Sequence, residues 1–355
     1  MATEFKSKIK DKSLQTREAE NLTTDTSHTN VPFPKNCLIE LSNACNHRCI
    51  FCTNPRMSRG IGKLDFETYK KFIIQSVALG LEEVGLYATG EPFITKDLDK
   101  YIKFAKDSGI SYVYITTNGG LATEEKLKRC ISAGLDSIKF SINAGTRETY
   151  KLVHGKDDFN KVINNIAFLS RHRKEENLDL KIYASCVVTR YVESEKEALE
   201  EKIGDYVDSM VFYDVSPQAG QTLKYYDLMS IEGKEQVVKN KPGPCSMLWN
   251  KIHLTCEGYL TLCCVDYENS LTYADININS VSEAWNNNVI MEMRKRHQQQ
   301  DLKGTLCHNC LYGEDIEAFP ITKIGREDNF EKVSFDKPSG VKDILSRIEK
   351  LKNDI

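Results

Sequence analysis

"ELSNACNHRCIFCTNP", residues 40–55, sets three thiols, Cys45, Cys49 and Cys52, in one polar loop directly behind the apolar run "CLIELS" at 37–42. The run reads as a β-strand and the loop as its exit. Structural zinc sites usually close at four ligands, so three sulfurs within eight residues leave one position open to something other than the protein. Read alone, the spacing also allows an incomplete zinc site. What the open position serves depends on the fold that presents the loop.

From Cys37 onward strand and helix patterns alternate. "DFETYKKFIIQSVALG" (65–80) predicts a helix stopped at Gly80, "EEVGLYAT" a strand, "DLDKYIKFAKDSG" a helix stopped at Gly109, and "SYVYITT" a strand. "TEEKLKRCISAG" is a further helix, "DSIKFSI" a strand, "DFNKVINNIAFLSRHRKE" a helix, and "DLKIYASCVVT" and "SMVFYDVS" two strands around the helix "ESEKEALEEKIG". Six strand-then-helix units, each roughly 20 to 40 residues, indicate a parallel sheet with crossover helices, an α/β fold of the partial (β/α)6 TIM-type barrel class. Such barrels carry their chemistry in the loops after the strands, where the three-cysteine loop falls.

The remaining chain sets the context. Its 355 residues suffice for a large domain with an appendage, and a formal net charge of −3 gives no pull toward nucleic acid or anionic membrane. No apolar stretch is long enough to span a membrane or act as a secretory signal, which reads as a cytoplasmic protein. In that compartment twelve cysteines at clustered spacings point to metal or redox chemistry rather than disulfides. Cys37, Cys130 and Cys186 stand alone in apolar patterns and read as buried packing. Residues 1–35 are polar and aperiodic and read as a mobile arm; 36–238 is the barrel; 239–320, opening at the Pro/Gly break "KNKPGPC", is a second module; and 321–355 holds a docking tail helix with Val341, Ile344, Leu345, Ile348 and Leu351 at helical spacing. In the second module "KIHLTCEGYLTLCCVDY" predicts a hairpin turning at Glu257-Gly258, and "SVSEAWNNNVIMEMRKRHQ" one helix capped by Ser280 or Ser282.

Cys45-x3-Cys49-x2-Cys52, with Phe51 before the last cysteine, resembles the signature of the radical S-adenosylmethionine (SAM) superfamily. The resemblance implies that the three thiolates hold a [4Fe–4S] cluster whose open iron binds SAM. Further elements resemble the family at the expected strand ends. "TGEP", Thr89, Gly90, Glu91 and Pro92, is similar to the family's Gly-Gly-Glu-Pro element, with Thr89 in place of the first glycine. "TTNGG" contains Asn118 and ends the third strand. "SINAG" is similar to the ribose-contacting element, implicating Ser141 and Asn143. "VVT", with Val188, ends the fifth strand where the family packs adenine. Taken singly, "TGEP" and "TTNGG" are also ordinary turns.

Downstream, Cys245, then Gly258-x4-Cys263, then Cys307-x-x-Cys310 resembles the start of the SPASM extension of radical SAM enzymes, truncated to the shorter "twitch" form. The resemblance implies one auxiliary [4Fe–4S] cluster closed by Cys245, Cys263, Cys307 and Cys310; without it, two distant cysteine pairs also suit a zinc ribbon. Cys264 is open between packing, a substitute ligand and a hydrogen-atom donor, the last making it the candidate catalytic thiol. Cys256 reads as structural. The implied chemistry is reductive SAM cleavage and hydrogen abstraction, with an auxiliary cluster suited to oxidising an alcohol carbon of a sugar, polyol or aminocyclitol. Epimerisation, with Cys264 as donor, peptide or protein modification, and a non-enzymatic iron–sulfur sensor are the alternatives. A flavodoxin or ferredoxin would be the reducing partner. His47, Arg48 and His154 carry no assigned role at this level.

Overall fold

The computed structural model describes residues 24–231, 243–325 and 338–353. Nine strands form one sheet: β1 (Asn36–Ile39), β2 (Glu83–Gly85), β3 (Tyr112–Thr117), β4 (Ser137–Ser141), β5 (Lys181–Val188), β6 (Ser209–Asp214), β7 (Lys251–Leu254), β8 (Tyr259–Thr261) and β9 (Thr272–Asp275), in the order β6-β5-β4-β3-β2-β1-β7-β8-β9. Strands β1 to β6 are parallel to their neighbours, each linked to the next through helical connections. This is the partial barrel the alternation predicts. The crossover helices form because apolar residues recur on one face, in some of them behind a capping side chain. In Phe66–Ala78 the Asp65 carboxylate accepts from Thr68 N while Tyr69, Phe72 and Ile73 are buried; in Leu98–Asp107 the buried stripe is Leu98, Tyr101, Ile102 and Ala105.

The second module is continuous with the barrel. β7 pairs in parallel with β1, Cys37 opposite Ile252, and the expected hairpin β7–β8 then runs on antiparallel into β9. The apolar edge of β1 is thereby covered by the module that carries the downstream cysteines.

Several local expectations change. The helix expected across 280–298 is two, Val281–Trp285 and Asn288–Gln299, because Asn287 breaks the run and caps the second helix, its Oδ1 accepting from Val289 N at 3.0 Å and Ile290 N at 3.1 Å. Ser280 caps the first through a reciprocal bond with Glu283. A helix missed at sequence level, Arg147–His154, starts at the Thr146 cap and stops at Gly155, where φ is +64°. Residues 24–35 do not form a mobile arm: they strap the second module, with carbonyls of His28, Thr29 and Pro32 accepting from Trp249 Nε1, Arg294 Nη1 and Trp285 Nε1 at 2.6, 2.8 and 2.9 Å. Arg294 is fully buried and stacks over Trp285, 4.5 Å from its ring centroid, so the strap's Thr29 carbonyl is part of what solvates its charge. Residues 1–23 and most of the 239–245 break lie outside the described residues. The tail helix, Pro338–Asn353, docks through Ile344, Ile348 and Arg347, whose guanidinium donates to the carbonyls of Leu152 and Arg48 at 3.0 and 2.6 Å.

Candidate active site

The loop after β1 is held open by its neighbours. Gly90 sits so close beneath it that an added Cβ would lie 2.1 Å from Ser42 O and 2.7 Å from Ala44 O, and Glu91 N donates to Ala44 O at 2.8 Å. Glycine is the residue that permits that approach. The Glu91 carboxylate is buried and points inward, accepting from Thr117 Oγ1 at 2.6 Å, Asn118 N at 2.8 Å and Phe93 N at 3.1 Å, so it stitches the exits of β2 and β3 together. Burial raises its pKa, opposed by those hydrogen bonds. The Thr89 hydroxyl donates to Glu40, which also takes two bonds of 2.7 Å from Arg59. Arg59 in turn reaches Glu257 and Asn269 at 2.9 and 3.0 Å, tying the barrel loops to the second module.

Of the other expected contacts, Asn143 is buried and spans two strand ends, its Oδ1 accepting from Val187 N at 2.7 Å. Ser141 lies part-exposed 3.4 Å from Asn143 Nδ2, Val188 is buried at the end of β5, Phe51 is half-buried against the core, and Pro92 opens a buried 3-10 turn. All these positions follow the carboxyl ends of the parallel strands or form them.

Each sulfur of the loop meets a donor from a different element. Asn118 Nδ2 lies 3.8 Å from Cys45 Sγ, His154 Nδ1 3.6 Å from Cys49 Sγ, and Tyr267 Oη and Asn54 N each 3.4 Å from Cys52 Sγ. The histidine pair, unassigned from sequence, is part of this shell. Burial, with His47 and Arg347 nearby, holds the His154 pKa well below its ordinary value, so the ring is neutral. Asn143 N can only donate, and it lies 3.1 Å from His154 Nε2, which places the His154 proton on Nδ1. That proton faces His47 Nδ1 at 3.2 Å as well as Cys49; His47 then carries its own proton on Nε2, 3.1 Å from Asp158 Oδ2. Only the fold brings residues 47, 154 and 158 together; in the sequence His47 and His154 stand out without a role and Asp158 not at all.

Cys45 and Cys49 are costly to ionise alone. Cys45 is pushed up to about 12 by burial and then by Glu91, and Cys49 rises well above its ordinary value through burial and then through Cys52 and Cys45. Three neighbouring sulfurs that repel as thiolates, ringed by hydrogen-bond donors, fit a cationic metal–sulfur core.

The downstream cysteines also converge. Cys307 and Cys310 share one face of the helix Leu306–Tyr312, capped by Thr305, at i and i+3 spacing. Cys263 stands in the loop after β8, shaped by Asp266, which accepts from Thr261 Oγ1 at 2.7 Å and from Ser270 N and Leu271 N, both at 2.8 Å. Cys245 precedes the turn Met247–Asn250, its N–H facing His297 Nδ1 at 3.4 Å. Burial raises the Cys307 thiol, followed by the charges of Cys245 and Cys310; Cys263 is raised by a bond with Cys264, then by burial, with Cys310 and Cys245 adding to it. The four sequence-predicted thiols thus lie within electrostatic reach of one another, Cys307 buried and Cys245, Cys263 and Cys310 part-exposed. Cys264 lies near His253, and Cys256 is buried beside Glu40 and Arg59, apart from the group.

Residues 39–184 match the radical SAM superfamily and residues 245–311 match the SPASM iron-sulfur cluster-binding domain. The chain belongs to the radical SAM superfamily. It is a radical SAM protein with a SPASM-type extension, and those two domains imply [4Fe–4S] clusters and SAM binding. The GTP 3′,8-cyclase of Aliarcobacter butzleri is 31% identical over 169 residues, 46% of this chain and 49% of that protein. The chain spans about half the length of the curated relatives it matches. Among solved structures, BtrN in complex with AdoMet and 2-DOIA matches with a TM-score of 0.53 at 18% identity, over 86% of this chain and 100% of that one. Streptococcus suis SuiB bound to precursor peptide SuiA gives a TM-score of 0.59 at 15% identity, over 75% and 68%. At these identities the likeness concerns the fold. Among the described residues no helix is long and apolar enough to cross a membrane.

Proposed function

We propose that this protein cleaves SAM reductively at the β1 loop and oxidises an alcohol carbon of a small polyhydroxylated substrate, a sugar, polyol or aminocyclitol. The observation that carries this reading is the pairing of three thiols at the strand-end mouth with four thiols gathered in the adjoining module. Cys45, Cys49 and Cys52 would hold a [4Fe–4S] cluster with one iron left for SAM; Cys245, Cys263, Cys307 and Cys310 would close a second. When bound, the first cluster and SAM supply a 5′-deoxyadenosyl radical able to remove a substrate hydrogen, and a closed second cluster is suited to accepting the remaining electron.

The protein's own residues position this chemistry. Glu91 and Gly90 fix the loop exits, and Asn143 fixes the ends of β4 and β5. The inner face supports a hydroxylated substrate: the strand registers align Thr116, Lys139, Tyr183 and Ser209 in one row and Ser141, Ser185 and Val211 in the next. The buried Tyr183 Oη and Ser209 Oγ have no partner among the described residues, and hydroxyl groups of a ligand or ordered water would satisfy them. Cys264, near His253, is assigned as the thiol available for hydrogen-atom donation should the radical be quenched rather than oxidised. The electron would enter from a flavodoxin- or ferredoxin-type partner. BtrN, with its bound 2-DOIA, offers a small-molecule precedent for the fold, and SuiB a peptide one.

The test is mass spectrometry for 5′-deoxyadenosine after anaerobic cluster reconstitution, dithionite reduction and addition of SAM, with Cys49→Ala alongside. Product from the native chain and loss to background in the variant are expected; equal product from both overturns the assignment. Deuterium transfer from C–D-labelled polyols into 5′-deoxyadenosine then supports the substrate class, and transfer only from labelled peptides overturns it.

A further inference from the structure

Tyr267 stands where barrel and extension meet. By sequence it belongs to the loop after β8, four residues beyond Cys263, yet its buried hydroxyl lies 3.4 Å from Cys52 Sγ in the β1 loop. Other donors near the three thiols, Asn118, His154, Asn54 and the His47 backbone among them, come from the barrel itself. The same hydroxyl lies 3.0 Å from Gln218 Oε1. A neutral phenol has one proton, so it donates to one of these two partners at a time. Against a thiolate the charge-assisted bond is the stronger. A half-turn of the Gln218 amide presents its NH2 to the phenol oxygen, so all three groups are then satisfied.

Gln218 is held at this place by an unusual turn. Gln218 and Ala219 have φ of 49° and 57°, left-handed values for side-chain-bearing residues, ahead of Gly220 at 81°. Such conformations cost roughly 1–3 kcal/mol each and persist where surrounding contacts enforce them. The enforcing contacts come from the extension: an added Cβ on Gly220 would lie 2.3 Å from Asn309 Cβ, on the helix bearing Cys307 and Cys310, and Gln221 Nε2 donates to Val265 O at 3.0 Å.

We propose that Tyr267 is a positioning residue supplied by the extension: its hydroxyl, oriented by Gln218, donates a hydrogen bond to Cys52 and raises the reduction potential of the cluster that Cys52 holds. The inference rests on the reading that Cys45, Cys49 and Cys52 hold an iron–sulfur cluster. Hydrogen bonds to cluster sulfurs stabilise the more negative, reduced state and are one of the protein's levers on potential. Docking of the extension on the barrel would thereby set how readily the SAM-binding site accepts its electron, a link independent of electron transfer between the clusters.

The experiment is an EPR-monitored potentiometric titration at pH 7 of the full, anaerobically reconstituted protein, native against Tyr267→Phe and against protein with 3-fluorotyrosine installed at position 267. The phenylalanine variant should move the barrel cluster to a more negative potential. The fluorinated ring, a stronger donor of nearly the same shape, should move it to a more positive one. Iron content and the auxiliary cluster's potential should stay at native values in both. A barrel-cluster potential equal to native in both proteins overturns the inference while leaving the cluster reading intact. A native protein that takes up no cluster at Cys45, Cys49 and Cys52 overturns that reading and the inference with it.

Discussion

The two groups of sulfurs are assembled in opposite ways. The β1 loop brings Cys45, Cys49 and Cys52 together within one short segment, and the fold adds their surroundings: Asn118 from the end of β3, His154 from the helix after β4, Tyr267 from the extension. The downstream group takes single thiols from Cys245 and Cys263 and a pair from the helix Leu306–Tyr312, so its convergence depends on the hairpin, the Asp266-shaped loop and the strap at 24–35. A locally written site can be tuned by distant residues without being dismantled. A site gathered from 66 residues of chain stands or falls with the packing of its module, as the positions 245 and 310 imply.

Three changes test that contrast. The largest expected effect is that of Cys307→Ala, which should lower iron content by about four atoms, one cluster's worth, while the barrel thiols still support SAM cleavage. Iron analysis paired with 5′-deoxyadenosine detection reads both, and loss of SAM cleavage together with iron would show that the groups are not separable. Gly90→Ala attacks the local site through its support. The added methyl meets backbone carbonyls of Ser42 and Ala44, which cannot swing aside as a side chain would, so a loss of about 1–3 kcal/mol is expected in urea unfolding. An unshifted urea midpoint would mean that the loop relaxes freely. The smallest effect is expected for Asn287→Ala, which removes the cap of Asn288–Gln299, the helix bearing Arg294 and His297. Its cost should be about 1 kcal/mol by the same measurement, and no loss would show that tertiary contacts alone hold that helix start.

The alternation of period and punctuation made the barrel legible: amphipathic helices such as Leu98–Asp107 and apolar strands such as Tyr112–Thr117 follow from local side-chain chemistry. Short segments were less so. The helix Arg147–His154 has only eight residues between its cap and Gly155, and the break at Asn287 competes with strong flanking helix formers. "TGEP" illustrates the limit more sharply. Its resemblance marks a cofactor-contacting turn; the structure adds that Thr89 bonds Glu40 and that Glu91 ties β2 to β3, inward contacts that no local pattern encodes.

By itself the sequence determined the three-thiol loop, its position behind a strand and the strand-end motifs around it, because ligand spacing and hydrophobic period are properties of neighbouring residues. Only the tertiary structure decided that β7 would extend the barrel at β1, that His47, His154 and Asp158 would form one hydrogen-bonded line to Cys49, and that Tyr267 would reach Cys52. Those juxtapositions join residues up to 215 positions apart, and they arise from burial of shared apolar surface rather than from any preference of the residues that meet.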